Sequence, residues 1–287
     1  MPRPLIVGIV NITADSFSDG GRFLDPAAAI AHARRLAEGG ADIVELGAAA
    51  SNVAAAPVSA EEEIRRLGPA LAALARDGAT LAIDSACPQV QRFALARGVG
   101  YLNDIEGFPD AALYPELAGA SCRLVVMHKV QDAGRAERGD LDADAVWCHI
   151  EAFFAERVAL LAAAGIARER LILDPGMGFF LSTRPEASLR ALAGIGRLKQ
   201  RFGLPVMVSV SRKSFLAALT GRTGPAELGP ATLAAELYAA ARGVDLIRTH
   251  DAAALRDALV VTEAIRNEET LSLPRTRASR ATGSSGA

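Results

Sequence analysis

With 287 residues and 51% hydrophobic content, the chain can bury a large core, either as one barrel-sized domain or as two smaller ones. A formal net charge of −2 gives no bulk attraction to nucleic acid or to an acidic membrane surface, and no apolar run is long enough to span a bilayer. The three cysteines, Cys87, Cys122 and Cys148, are widely spaced without a CxxC pair, which argues against a disulfide framework or a zinc site and for reduced filler.

The chain opens at Met1-Pro2-Arg3-Pro4 and passes straight into a strand-like run, with no signal peptide, so a cytoplasmic protein is expected. Leu5 to Val10 predicts the first strand, followed by a Gly/Ser/Asp-rich loop through Gly21 and a helix that starts at Pro26. Ala41 to Leu46 predicts the second strand. An Ala-rich loop follows, and Ser59 with the acidic residues after it predicts an N-capped helix reaching Arg76. Further strands are expected at Thr80 to Asp84, Tyr101 to Ile105, Arg123 to His128, Leu171 to Asp174, Val206 to Val210 and Asp245 to Thr249. Between them the pattern predicts helices at Pro88 to Arg97, Ala111 to Ala118, Asp142 to Ala164, Ala231 to Arg242 and Leu255 to Arg266, and one that follows a loop containing Gly176, Gly178 and Pro185 and runs to Phe202.

Strand-then-helix units repeated through this length predict an α/β chain folded as a single (β/α)8 TIM barrel over residues 1–268. A doubly wound sheet is the competitor, but the glycines after the first strand do not form G-x-G-x-x-G. The aperiodic Arg/Ser/Thr/Gly-rich segment, residues 269–287, is expected to be a disordered tail.

Polar residues accumulate at the predicted strand ends. Asn11, Asp84, Asn103, Asp104, His128 and Asp174 end or follow strands one, three, four, five and six. Arg212, Lys213 and Ser214 follow strand seven, and Arg248 and His250 end strand eight. A barrel's chemistry sits at the carboxyl ends of its strands, so these side chains are expected on one face. Asp104 is the expected exception, because its neighbour Asn103 takes the opposite side of the strand. Carboxylates and an amide suit a flat heterocycle with ring N–H and exocyclic amine donors, and Arg248 and His250 at the rim suit a phosphate. The residues alone thus point to a pterin- or purine-like substrate carrying phosphate.

Gly8 to Gly21 reads GIVNITADSFSDGG, Asp174 to Phe179 DPGMGF, Ser209 to Phe215 SVSRKSF and Ile247 to His250 IRTH. With Ile83-Asp84-Ser85 and Leu102-Asn103-Asp104-Ile105, these stretches resemble the dihydropteroate synthase motifs, in that family's order. The resemblance implies the same barrel and the joining of 6-hydroxymethyl-7,8-dihydropterin pyrophosphate to p-aminobenzoate, giving dihydropteroate and pyrophosphate. It further implies that Asp84, Asn103 and Asp174 hold the pterin, with Met127 at its edge and Lys213 on its carbonyl side, while Arg212 stacks on it or steers charge. By the same resemblance Asn11 touches Mg2+ and pyrophosphate, Arg248 and His250 hold pyrophosphate, Asp15 orders the site during catalysis, and Lys213 and Ser214 border p-aminobenzoate. A homodimer is implied as well. A methyltetrahydrofolate-binding methyltransferase barrel and a non-catalytic pterin-binding paralogue are the alternatives; the intact Ser-Arg-Lys-Ser counts against the first.

The chain departs from ordinary family members in two places. After strand two, where they read roughly DxGGESTRPG, it has Glu45-Leu46-Gly47-Ala48-Ala49-Ala50-Ser51-Asn52, and Phe180-Leu181 stands where they carry Gly-Lys. Both changes resemble the sulfonamide-resistance branch. They imply an enzyme that accepts p-aminobenzoate and rejects sulfonamides, with Ser51, Phe179 and Phe180 beside the p-aminobenzoate site and an added ring at Phe179 or Phe180 excluding the drug's extra volume.

Overall fold

The computed structural model describes residues 2–13, 25–50, 57–130, 142–222 and 224–272. Its strands are β1 (Leu5–Asn11), β2 (Ile43–Gly47), β3 (Leu81–Asp84), β4 (Tyr101–Asp104), β5 (Arg123–Met127), β6 (Leu171–Asp174), β7 (Met207–Val208) and β8 (Leu246–Thr249). They pair in the order β6-β5-β4-β3-β2-β1-β8-β7, all parallel. An isolated parallel bridge between Leu173 and Val206, with the Leu173 amide donating to the Pro205 carbonyl at 2.9 Å, closes the ring between β6 and β7. The (β/α)8 barrel is therefore as expected. Asp15, Ser51 and the tail beyond Ser272 lie outside the described residues.

The helices are α1 (Pro26–Glu38), α2 (Ala60–Arg76), α3 (Pro88–Leu95), α4 (Tyr114–Gly119), α5 (Val146–Ala163), α6 (Pro185–Ala193), α7 (Gly196–Phe202), α8 (Ser214–Thr220), α9 (Gly229–Ala241) and α10 (Ala252–Ser272). Local chemistry sets their starts: the Asp25 carboxylate accepts from the Ala27 amide at 3.2 Å, and the Ser59 hydroxyl from the Glu62 amide at 3.3 Å. The one helix expected up to Phe202 is two. The Trp147 indole packs so closely on Gly194 that a Cβ there would meet ring atoms at 2.7 Å, and the glycine ends α6. The last helix runs past Arg266 to Ser272.

Side chains alternate along every strand, which builds two apolar layers. Val7, Ile43, Ala82, Val125, Ile172, Met207 and Leu246 fill the lower barrel interior. Their outward neighbours, such as Ile6, Val44, Ile83, Leu124, Leu173 and Ile247, pack under the helices. The lower plug leaves the next inward positions, two residues further on, facing the carboxyl mouth. Cys87, Cys122 and Cys148 are free thiols. Among the described residues no helix is long and apolar enough to cross a membrane.

Candidate active site

From β2 round to β8, those next inward positions are Glu45, Asp84, Asn103, Met127, Asp174, Ser209 and Arg248. All but Glu45 line one pocket at the mouth of the barrel, together with Ile105, Gly176, Met177, Phe180 and Lys213. Five of the predicted pterin contacts, Asp84, Asn103, Met127, Asp174 and Lys213, are thus brought together, and Arg248 joins them. Met127, Met177 and Ile105 give apolar walls; the carboxylates, amide, ammonium and guanidinium give the polar groups that fix orientation.

The electrostatics of the pocket follow from burial. Burial pushes the Asp84 carboxyl up to about 7 against the pull of Arg248, whose Nη2 donates to Asp84 Oδ2 at 2.8 Å. Burial likewise lifts Asp174 to about 6, although the Gly176 amide donates to its Oδ1 at 2.8 Å. Lys213 is lowered by burial, with Arg248 adding to the effect, to about 8, so it is still mostly ammonium at neutral pH. Two buried polar atoms on the pocket lining, Asn103 Oδ1 and Ser209 Oγ, have no hydrogen-bond partner among the described residues. Groups of that kind ask for a ligand or an ordered water.

The stretch Ser211-Arg212-Lys213-Ser214 is reached differently from the way its pattern predicts. The ladder of β7 stops at Val208, short of the expected Val210, because the chain turns through Arg212 in a left-handed conformation, φ 57°. The Arg212 amide donates to Thr232 Oγ1 at 3.1 Å, and α8 starts at Ser214. Arg212 is half-buried and does not line the pocket; its charge acts on His250 beside it. Burial first, then the nearby Arg212, Arg248 and Lys213 charges, hold His250 neutral, well below its ordinary value, and its Nδ1 lies 2.9 Å from Ser211 Oγ. His250, Ser214 and Asn11 are half-buried around the mouth without lining the pocket.

Phe179 and Phe180 lie on a short 3-10 turn, residues Gly178–Phe180. Gly178, at φ +67°, packs against the 213–214 segment, where a Cβ would stand 3.2 Å from Ser214 Oγ. The turn sends the two rings different ways. Phe179 is 53% exposed and outside the pocket, whereas Phe180 lines it and carries the Lys213 ammonium 4.8 Å from its ring centroid.

Two strand-end residues serve the scaffold. Asp104 faces outward, as its parity with Asn103 predicts: Gln91 Nε2 donates to its Oδ2 and the Glu106 amide to its Oδ1, at 2.8 and 2.7 Å. His128 also faces outward, contrary to the expectation that it joins the mouth. Met127 takes the inward position, and the His128 ring lies edge-on to Phe153, its Nδ1 3.0 Å from the Pro175 carbonyl. Burial lowers it to about 4, so it is neutral.

The sequence reading missed Ser209 as a lining residue and Glu45 as part of the site. Glu45 is 1% exposed and sits beneath the pocket, accepting from Arg248 Nε and, at 3.1 Å, from Asn103 Nδ2. A carboxylate within the apolar run Ile43-Val44-Glu45-Leu46 was the available signal, since a buried charge needs a partner.

Behind β8, a second buried acid titrates against the fold. Glu236 on α9 is 1% exposed, accepts from the Thr249 hydroxyl and has its Oε1 without a partner among the described residues. Burial raises it from 4.5 to about 8. Below 4.5 both folded and unfolded states carry the proton and the contribution is fully present. As pH rises toward 8 the unfolded state releases its proton first, so stability is lost. Urea midpoints of the wild type should fall between pH 5.5 and 8.5 by more than those of Glu236→Gln; parallel curves would show that Glu236 is not a buried neutral acid.

The pterin binding enzyme profile matches residues 7–250. The chain is 60% identical over 262 residues to dihydropteroate synthase type-2 of Escherichia coli, covering 91% of this chain and 96% of that one. It is 52% identical over 264 residues to dihydropteroate synthase type-1 of Mycolicibacterium fortuitum, covering 92% and 93%. Among solved structures, Xanthomonas albilineans dihydropteroate synthase with 4-aminobenzoic acid superposes with a TM-score of 0.82 at 37% identity, covering 92% of this chain and 94% of that one. The same enzyme in complex with 7,8-dihydropteroate superposes at 0.77 and 34% identity, covering 92% and 93%. With its barrel, its mouth of buried acids and cations, and these likenesses along its length, the chain belongs to the dihydropteroate synthase family of pterin-binding enzymes.

Proposed function

We propose that this protein condenses 6-hydroxymethyl-7,8-dihydropterin pyrophosphate with p-aminobenzoate and that it does so in the presence of sulfonamides. One observation carries the reading: acceptors on the pocket lining (Asp84, Asp174 and the unpartnered Asn103 Oδ1) face a region bordered by Lys213, whose ammonium also lies over Phe180. Acceptors suit the ring N–H and amine groups of a pterin, and Lys213 suits its carbonyl side. The second substrate then belongs on the Phe180 and Ser214 side.

In the reaction, the C–O bond to pyrophosphate breaks, the arylamine nitrogen bonds to the freed methylene carbon, and the amine's surplus proton leaves to solvent. The chain's part is to hold the pterin flat, to supply cations as the leaving group departs, and to aim the amine. Arg248, Arg212 and His250 are the residues on hand for pyrophosphate. Asn11, whose amide oxygen is a hard donor suited to Mg2+, would hold that ion beside the pyrophosphate. Bound there it would neutralise leaving-group charge. Asp15 and Ser51 are proposed to complete the site as the resemblance implies. We also read the protein as a cytoplasmic homodimer, with the exposed Val260, Val261 and Ile265 of α10 as apolar surface available to a second copy.

The purified chain, given both substrates and Mg2+, should form dihydropteroate at rates that sulfamethoxazole leaves nearly unchanged at concentrations that stop a sensitive enzyme. Turnover that the drug abolishes would remove the insensitivity. Pterin binding without turnover would make the chain a non-catalytic paralogue.

A further inference from the structure

We propose that Glu45 is a positioning residue that sets the hydrogen-bonding polarity of the pterin pocket, by holding Asn103 with its amide nitrogen turned away from the ligand and its carbonyl oxygen presented to it. The proposal rests on the reading that a pterin fills this pocket. An asparagine amide is nearly symmetric in shape, so the partner on its far side decides which way it points. Here that partner is a carboxylate whose two oxygens both accept, one from Arg248 Nε and the other from Asn103 Nδ2. Glu45 accepts a hydrogen bond from Asn103 Nδ2 at 3.1 Å, and Oδ1 is left buried, on the pocket lining, without a partner among the described residues. The site is thereby specified for a ligand N–H at that point.

The same carboxylate accepts from Arg248 Nε, while Arg248 Nη2 reaches Asp84 at 2.8 Å. Glu45 therefore ties β2, β4 and β8 together under the substrate without lining the pocket itself. Two functions are separable in principle: anchoring Arg248, for which Asp84 is already a partner, and orienting Asn103, for which the described hydrogen bonds give Nδ2 no other partner. The second is the one assigned.

The test uses the full chain as wild type, Glu45→Gln, Glu45→Asp, Asn103→Ala and the double variant Glu45→Gln/Asn103→Ala. Affinity for 6-hydroxymethylpterin is measured by titration calorimetry, the KM for each substrate by steady-state assay, and folding by thermal melting. A glutamine can donate as well as accept and no longer dictates the amide's direction. Glu45→Gln should weaken pterin binding about ten- to a hundredfold, the range for a buried polar pairing lost. The KM for p-aminobenzoate should stay within about twofold, because an interaction specific to one substrate shows in that substrate's constant alone. In the Asn103→Ala background the same change should cost less than about threefold, since residues that act through one another are not additive. Glu45→Asp, which keeps the charge, should recover part of the affinity, and it carries the test if the glutamine variant fails to fold. Wild-type affinity in Glu45→Gln, or an equally large loss with Asn103 already removed, overturns the proposal. A wild-type chain that binds no 6-hydroxymethylpterin overturns the functional reading and this proposal with it, which sets that failure apart from a failure of Glu45 alone.

Discussion

Replacing Lys213 with methionine is expected to lower kcat/KM by about a thousandfold, the scale on which a preorganised charge in a buried site acts. Methionine keeps the length and apolar stem of the side chain and removes only its charge and donors. Lys213 lies among Asp84, Asp174 and Arg248, and burial has already brought its ammonium down to about 8. The pocket therefore holds a cation whose hydration it has removed, which is costly unless a substrate uses it. Two results should accompany the loss. Pterin affinity should fall, and the acidic limb of the pH–rate profile should move up, because Asp84 and Asp174 both lose a charge that lowers them. Arginine should not rescue, since its planar fork cannot replace a compact ammonium. A loss smaller than about tenfold would leave Lys213 outside the chemistry.

Replacing Phe180 with alanine is expected to make the enzyme sulfonamide-sensitive, lowering the Ki of sulfamethoxazole by about ten- to a hundredfold, one to two steps of 1.4 kcal/mol. The ring lines the pocket next to Lys213, on the side proposed for p-aminobenzoate. On the proposed reading a flat carboxylate should fit past it, whereas a tetrahedral sulfonyl group with a further ring should not. The KM for p-aminobenzoate should change little in comparison, by the few-fold that follows from removing a ring that Lys213 rests on. Phe179→Ala is the internal control: with its side chain 53% exposed and outside the pocket, it should leave inhibition as in the wild type. A drug-insensitive Phe180→Ala enzyme would mean that discrimination lies elsewhere.

Much of this molecule is legible from residue order. The alternation of apolar strands with capped helices specifies the barrel, and the barrel dictates that Asp84, Asn103, Asp174 and Arg248 meet although far apart in sequence. Period-two parity places Asp104 on the outside. Applied to Met127, which faces inward, the same parity places His128 outside too. Other features depend on closure in three dimensions. Glu45 gains its meaning from an arginine 203 positions away, and no local pattern announces that pairing. The early end of β7 follows from the backbone at Arg212, a residue type that gives no warning of a left-handed conformation. Which of two adjacent phenylalanines faces inward is settled by a 3-10 turn that propensity does not predict.

The closure between β6 and β7 has a consequence for how such an enzyme can change over generations. There the barrel is held by an isolated bridge and a two-residue strand, while its neighbours share full ladders. A seam with few backbone bonds to lose is where residues can be exchanged or added at the smallest cost in stability. The Gly178–Phe180 turn and the Ser211 to Ser214 segment flank that seam, one after β6 and the other after β7. If Phe180 discriminates as proposed, selection for telling a drug from a nutrient can work on the part of the barrel that tolerates change, leaving Asp84 and Asn103 on the laddered strands β3 and β4 as they were.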